Sequence, residues 1–272
     1  MSVVIYRPDE AQLLPMLRSL CETLDHAMQG RQLAAASLHL VDNSPYPMEP
    51  EAIAAVAATI PPSLPIEFEY DYVGSNLGYG SANNRAFALM ANKCDLFLVL
   101  NPDVEFERGS LAAGIDFLDA HPEIGLLAPS LLEDRGDIHP ACRQYPAVWA
   151  LFLRGFAPDW LRRSFAGYLR RFEMRDLGID RPYFGPTTTS GCCMLLTKDC
   201  FGQLKGFDKG YFLYFEDTDL SYRAGRLGRS AYCPSMRIRH HGGGAASKGF
   251  RHVAWFVRSA WRFFNSHGWR WK

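Results

Sequence analysis

The chain reads as an α/β protein built on a mostly parallel sheet. Three observations predict this. Short β-rich runs alternate with helix-length stretches through the first 130 residues. The turns after several of these runs are polar or Gly-rich. The composition, 48% hydrophobic and 21% charged over 272 residues, is that of a globular chain able to bury a core.

Taken in order, residues 2–6 form the first run, and helical pattern follows over 10–29. Further runs lie at 37–41, 66–72, 96–100 and 124–128, separated by helix-like stretches at 51–59, 81–91 and 110–121. Residues 1–7 lack the basic region and cleavage site of a signal peptide, so they read as a first strand and predict a cytosolic chain. No apolar run approaches the roughly 18 residues that a membrane span needs. The seven cysteines are odd in number and contain no C-x-x-C pair, which favours buried thiols over a disulfide framework or a zinc site.

Ligands on open parallel sheets bind at the carboxyl ends of the strands. The turns there are Asp42-Asn43-Ser44-Pro45, then Gly74 through Asn84, then Asn101-Pro102-Asp103. Any single βα turn is polar for ordinary reasons. Three rich in Asn or Asp on one edge point to a site. Gly78-Tyr79-Gly80 is not a dinucleotide fingerprint, because Asn83 stands where the third glycine belongs and the motif follows the third strand. The glycines suit a tight backbone turn beside a ligand.

The formal net charge is zero, which argues against a nucleic-acid binder. The charge is unevenly spread: residues 1–153 are net −12 and residues 154–272 net +12. Within 149–175, Leu161, Phe165, Tyr168, Leu169 and Phe172 recur at helical spacing among arginines, and Pro158 separates them from a turn carrying Trp149 and Phe156. In 248–272, Val253, Val257, Ala260, Trp261 and Phe264 form one stripe, with six basic residues and no acid. A surface helix with a solvated basic face gives the same pattern. Two Trp/Arg segments in one half point instead to contact with an anionic membrane surface.

The sharpest stretch runs from Gly206 to Arg223. An aromatic run leads into Glu216-Asp217-Thr218-Asp219, which opens a helix expected over 217–227. One acid there would be an ordinary cap. Three acids behind aromatics that exclude water suit a general base. Asp103, just past a strand, suits a divalent cation that completes its shell with diphosphate and water. His240-His241 before Gly242-Gly243-Gly244 offers a further ligand or a lid hinge.

The ordered set Asp42, Asn76 through Gly80 with Asn83, Asn101-Pro102-Asp103, Gly191 with Met194, Gly206-Phe207-Asp208, Tyr214 through Asp219 and His240 resembles family 2 glycosyltransferases, in the bacterial rhamnosyltransferase-like branch. The resemblance spans essentially the whole chain. It implies a GT-A fold: a Rossmann-like, mostly parallel sheet with flanking helices, here extended by C-terminal amphipathic helices. It implies a catalytic domain over 1–247, with a nucleotide-sugar part at 1–130, an acceptor and catalytic part at 131–247 carrying the insert 149–175, and a basic aromatic helix at 248–272. The implied reaction is an inverting, metal-dependent transfer from a dTDP- or UDP-sugar, with dTDP-rhamnose expected. The implied acceptor is a saccharide or a polyprenyl-diphosphate-linked saccharide in cell-surface polysaccharide synthesis, such as lipopolysaccharide. The protein would act as a peripheral protein at the cytoplasmic face of the bacterial inner membrane.

The resemblance also implies roles. Asp217 is the base, supported by Glu216 and Asp219. Asp42, Asn76, Gly78, Asn83, Asn101 and Asp103 contact the donor. Asp103 and His240 hold Mg²⁺ or Mn²⁺, with His241 as the alternative to His240. The chain departs from the family at Asn101, where the metal motif usually has a second carboxylate, and at Ala245-Ala246, where relatives often place serine. A nucleotidyltransferase would want a Gly-rich basic first turn, and Tyr6-Arg7-Pro8-Asp9-Glu10 has no glycine. A non-catalytic binding module would have no need of the Glu216-Asp217-x-Asp219 cluster.

Overall fold

A computed structural model describes all residues except 134–135, 178–179, 186–187 and 243–248. The first part alternates as the periodicity predicts. Strand β1 (Ser2–Ile5) leads to helix α1 (Glu10–Gln29), β2 (Ala36–Asp42) to α2 (Pro50–Ala58), and β3 (Ile66–Tyr72) to α3 (Tyr79–Met90). Asp9 caps α1 by accepting a bond from the Ala11 N–H, and Pro50 opens α2, where its missing N–H costs nothing. β4 (Leu96–Leu100) continues through Asn101-Pro102-Asp103 into β5 (Val104–Phe106), then α4 (Ser110–Ala120) and β6 (Leu126–Leu132). β6 starts later than its apolar run because the Ile124 N–H is still turning, donating to the His121 carbonyl at 2.9 Å.

Next come β7 (Ile138–Pro140), β8 (Cys142–Arg143), α5 (Val148–Gly155), α6 (Asp159–Ser164), α7 (Ala166–Phe172), β9 (Tyr183–Phe184) and β10 (Thr188–Thr189). The chain then forms β11 (Cys193–Thr197), α8 (Lys198–Gln203), α9 (Glu216–Arg226), β12 (Ser230–His240) and α10 (Phe250–His267). The main sheet has the order β3-β2-β1-β4-β11-β6-β12-β5. β3, β2, β1 and β4 are mutually parallel, and β12 lies parallel to β6. β11 runs antiparallel between β4 and β6, and β5 closes antiparallel on β12.

Helices cover both faces, as a sheet buried on two sides requires. Leu13, Leu17 and Leu20 of α1 pack with Leu111 and Ile115 of α4 on one side. Ala82 and Ala86 of α3, Phe201 of α8 and Leu220 of α9 cover Phe97 and Val99 on the other. Six of the seven cysteines are buried.

The second half differs from its sequence reading in three places. The segment expected as a turn before Pro158 is the helix α5, and the single helix expected after it is broken into α6 and α7. The break is at Phe165, whose N–H is shared between the Leu161 and Arg162 carbonyls before Ala166-Gly167 restarts the helix. In α10 the buried face is rotated from the predicted stripe: Ser259, Phe263 and Phe264 are buried, whereas Val257 and Trp261 are exposed. Both faces carry aromatics, and the partners Phe215, Tyr145 and Tyr222 decide which face packs inward. Gly243, Gly244, Ala245 and Ala246 lie outside the described residues. Among the described residues no helix is long and apolar enough to cross a membrane.

Candidate active site

The carboxyl ends of β1, β2, β3 and β4 share one edge, and the predicted turns meet there. Asp42 ends β2 fully buried, at 0% exposure. One of its oxygens accepts from the Ser44 N–H at 2.8 Å and the other from the Tyr70 hydroxyl at 2.6 Å. That phenol also receives the Met48 N–H at 2.8 Å, so Asp42 organises the whole turn. Asn43 reaches across to the Gly78 carbonyl at 3.3 Å and ties this turn to the glycine turn after β3.

Asn76 is exposed, and its side-chain oxygen accepts the Gly78 N–H at 2.9 Å. Gly78 has φ +81, and a Cβ there would strike the Phe212 carbonyl, so only glycine fits. Asn83 is fully buried inside α3, where its amide donates to the Tyr79 carbonyl at 3.0 Å. Asn84 holds both the Phe207 N–H and carbonyl at 2.8 Å, fastening the aromatic loop 207–215 to α3.

The seam between β4 and β11 places the catalytic candidates. The Asn101 N–H donates to the Cys192 carbonyl at 2.8 Å. One residue earlier, the Gly191 N–H donates to Asp217 Oδ2 at 2.7 Å, and the Tyr79 hydroxyl donates to the Gly191 carbonyl at 2.7 Å. The other Asp217 oxygen accepts from the Thr218 N–H at 2.6 Å. Oδ1 also accepts from the Thr218 hydroxyl at 3.2 Å, so the base candidate is oriented through both oxygens and Oδ2, with one bond, keeps acceptor capacity. A Cβ at 191 would lie 2.9 Å from Asp217 Cβ, which explains glycine at that position.

Glu216 and Asp219 sit on the same helical turn but in different surroundings. Glu216 is 5% exposed, and Oε2 has no hydrogen-bond partner. Burial first, and then the adjacent Asp217 charge, push its carboxyl up to about 8. Asp219 is buried and doubly paired, with Arg223 at 2.8 Å and His267 of α10 at 2.7 Å. The same Arg223 donates to the Leu204 and Gly206 carbonyls at 2.7 and 2.9 Å. Asp219 thus braces the helix and does not face a substrate cleft through a free oxygen. Just before this turn, Tyr214 and Phe215 both take left-handed φ, +68 and +66. Bulky side chains there are strained, and such strain gathers at functional sites.

Asp103 and His240 come together because β5 pairs with the end of β12, Val104 opposite His240. His240 Nε2 lies 3.3 Å from Asp103 Oδ1. Gly242 stands against the Asp103 carboxylate, and a Cβ there would collide with it. His241 turns to Glu105 at 3.1 Å instead, leaving His240 as the histidine on Asp103. Among the described residues no group of three or more His, Cys, Asp or Glu converges. The donor set is one carboxylate and one imidazole, with the Gly242 backbone close against both. That fits a hard cation that takes few protein ligands and fills its shell with diphosphate oxygens and water.

Tyr79 and Gly191, which the resemblance includes without a role, join the site, as do Arg223 and His267, to which no role was given. Gly191 had a signal, a glycine immediately before an apolar strand. His267 had none, being 48 positions from Asp219.

No protein-family model matches the chain. In sequence it is 34% identical to N-acetylglucosaminyl-diphospho-decaprenol L-rhamnosyltransferase of Mycobacterium tuberculosis, over 62% of this chain and 57% of that protein. It is 26% identical to rhamnosyltransferase WbbL of Escherichia coli K12, over 71% of this chain and 72% of that protein. The chain spans a little over half the length of the Mycobacterium relative. In structure it resembles GalNAc-T7 bound to UDP, GalNAc and Mn²⁺, with TM-score 0.60 at 14% identity over 95% of this chain and 46% of that one. It also resembles the mannosyltransferase PcManGT of Pyrobaculum calidifontis bound to GDP-Man and Mn²⁺, with TM-score 0.57 at 17% identity over 95% of this chain and 59% of that one.

Proposed function

From the premise that this chain is a GT-A-fold relative of the bacterial L-rhamnosyltransferases, we propose that it is an inverting glycosyltransferase. It moves a sugar, L-rhamnose from dTDP-rhamnose, to a polyprenyl-diphosphate-linked saccharide during cell-surface polysaccharide synthesis. The observation that carries the reading is Asp217, a carboxylate oriented by Gly191 and Thr218 at the end of the β4–β11 seam.

Asp217 takes the proton from the acceptor hydroxyl as its oxygen attacks the anomeric carbon. The bond from that carbon to the donor diphosphate breaks on the opposite face, and the electron pair leaves with the diphosphate. Mg²⁺ or Mn²⁺ at Asp103 and His240 would neutralise charge on that leaving group. Asp42 fixes the turn beside the nucleobase, and Asn76, Gly78, Asn83 and Asn101 shape the donor cleft. Glu216, protonated near neutral pH, avoids placing a second negative charge beside the base. The outer face of α10, with Val257, Trp261 and nearby arginines exposed, rests on the anionic inner leaflet.

A thermal-shift screen of nucleotide sugars, each with and without Mn²⁺, tests the donor side. A ligand at 100 times its Kd stabilises by about 2.7 kcal/mol. dTDP-rhamnose with Mn²⁺ is expected to give the largest shift. Absence of a shift with every nucleoside diphosphate sugar would overturn the proposal.

A further inference from the structure

A cavity of about 440 Å³ opens beside His240 and Gly242, and no residue of the turns at 42–45 and 74–84 lines it. Four arginines line it, Arg143, Arg154, Arg175 and Arg239, against two carboxylates, Glu133 and Glu173. Three separate parts of the fold supply them: β8, the α5–α7 insert and the end of β12. Glu173 is spent on Arg154 and Arg175, both at 2.9 Å, and Glu133 on Arg175 and His139 at 3.2 and 2.9 Å. Among the described residues, Arg143 and Arg239 have no carboxylate within ion-pair distance, and both are half-buried. Positive charge is thus concentrated in a concave site without being neutralised there. Such a site favours a multiply charged anion, and guanidinium forks match phosphate oxygens.

The cavity adjoins the transfer site. Its wall includes His240, the partner of Asp103. Arg143 acts electrostatically on Cys192, as do Asp103 and Asp217, so Arg143 stands near the seam that holds the base. A lipid-linked transfer brings two diphosphates together, one on the donor and one on the acceptor. Asp103 and His240 suit the first. We propose that the Arg143–Arg154–Arg239 cavity binds the second, the diphosphate of the polyprenyl-linked acceptor. This assignment rests on the lipid-linked acceptor in the proposed function. It gives the 149–175 insert a role in acceptor recognition through Arg154.

Farnesyl diphosphate serves as the probe, titrated calorimetrically into the full chain in EDTA so that no cation contributes at Asp103. Arg143→Gln and Arg239→Gln remove no ion pair, and Arg154→Gln leaves Glu173 its bond to Arg175, so the fold is kept; melting curves check it. Each variant is expected to weaken farnesyl diphosphate at least tenfold. dTDP and UDP, titrated with Mn²⁺, should keep their affinities within twofold. Unchanged farnesyl diphosphate affinity in all three variants overturns the inference. A parallel loss of dTDP or UDP affinity also overturns it, because the occupant would then be the donor's diphosphate. If wild-type protein binds dTDP or UDP but not farnesyl diphosphate, the acceptor assignment falls and the glycosyltransferase reading stands. If it binds no nucleoside diphosphate, it is the glycosyltransferase reading that falls.

Discussion

Glu216 makes stability depend on pH in an unusual direction. Its carboxyl is raised from 4.5 to about 8 in the fold, while the unfolded chain keeps the ordinary value. Between these values the folded state holds a proton that the unfolded state releases. Stability from this group is therefore fully present below pH 4.5 and is lost as pH rises towards 8. One pKa unit is about 1.36 kcal/mol, so going from pH 5 to pH 8 costs roughly 3–4 kcal/mol. Glu216→Gln removes the ionisation and keeps a neutral side chain of the same size. The variant is expected to match wild type at pH 5 within about 1 kcal/mol. At pH 8 it should be the more stable by roughly 3 kcal/mol, equivalent to about 6–12 °C in Tm. Urea unfolding of both proteins at pH 5, 6, 7 and 8 measures this directly. Parallel pH profiles would refute the reasoning, since they would mean that Glu216 titrates alike folded and unfolded.

Asp217→Asn should lower kcat by roughly 10²–10⁴ while leaving donor affinity unchanged; near-wild-type turnover in a folded variant removes Asp217 from the base role. Asp219→Ala strands Arg223 and His267 in a largely buried site and should cost about 3–5 kcal/mol in urea unfolding, whereas a loss below 1 kcal/mol would show the brace to be incidental. Gly191→Ala sets a methyl 2.9 Å from Asp217 Cβ and 3.2 Å from its Oδ2, so Asp217 must shift; kcat should fall roughly tenfold to hundredfold, and unchanged kcat in the folded variant would show that the contact does not position the base. Trp261→Ala should weaken co-sedimentation with anionic vesicles by roughly tenfold, and equal wild-type binding to neutral vesicles would count against the membrane face.

The parallel half of the fold was legible because each strand and helix there is a local pattern, and α1 begins and ends where its periodicity does. The position of β11 was not legible. Cys193–Thr197 is an apolar run like any other, and only its pairing with Leu96–Leu100 makes it antiparallel in a parallel neighbourhood. The face of α10 was misread for a related reason. Phe256, Val257, Trp261 and Phe263 are all apolar, and Phe215 and Tyr145 select among them from distant positions. In the site, Asp103 and Asp217 stood out as acids after a strand and before a helix. His240 was visible beside Asp103 as a histidine pair before a glycine run, and Gly191 through the family resemblance, but the braces Arg223 and His267 on Asp219 were not, because His267 reaches it only through a tertiary contact. Asp42 was visible as a strand-end acid, but its burial depends on Tyr70 from the neighbouring strand.

The interleaving of β11-β6-β12-β5 bears on how the chain folds. β12 lies between β6 and β5, strands made more than a hundred residues earlier. Closing such long loops is slow, so this sheet should be completed late and as a unit. Until β11 and β12 arrive, β4 and β6 expose apolar edges able to pair with another chain. The negative charge concentrated in residues 1–153 would then act during synthesis, as repulsion between unfinished chains. The catalytic seam is where the late strand docks on the early one, so an incompletely folded chain has no assembled base.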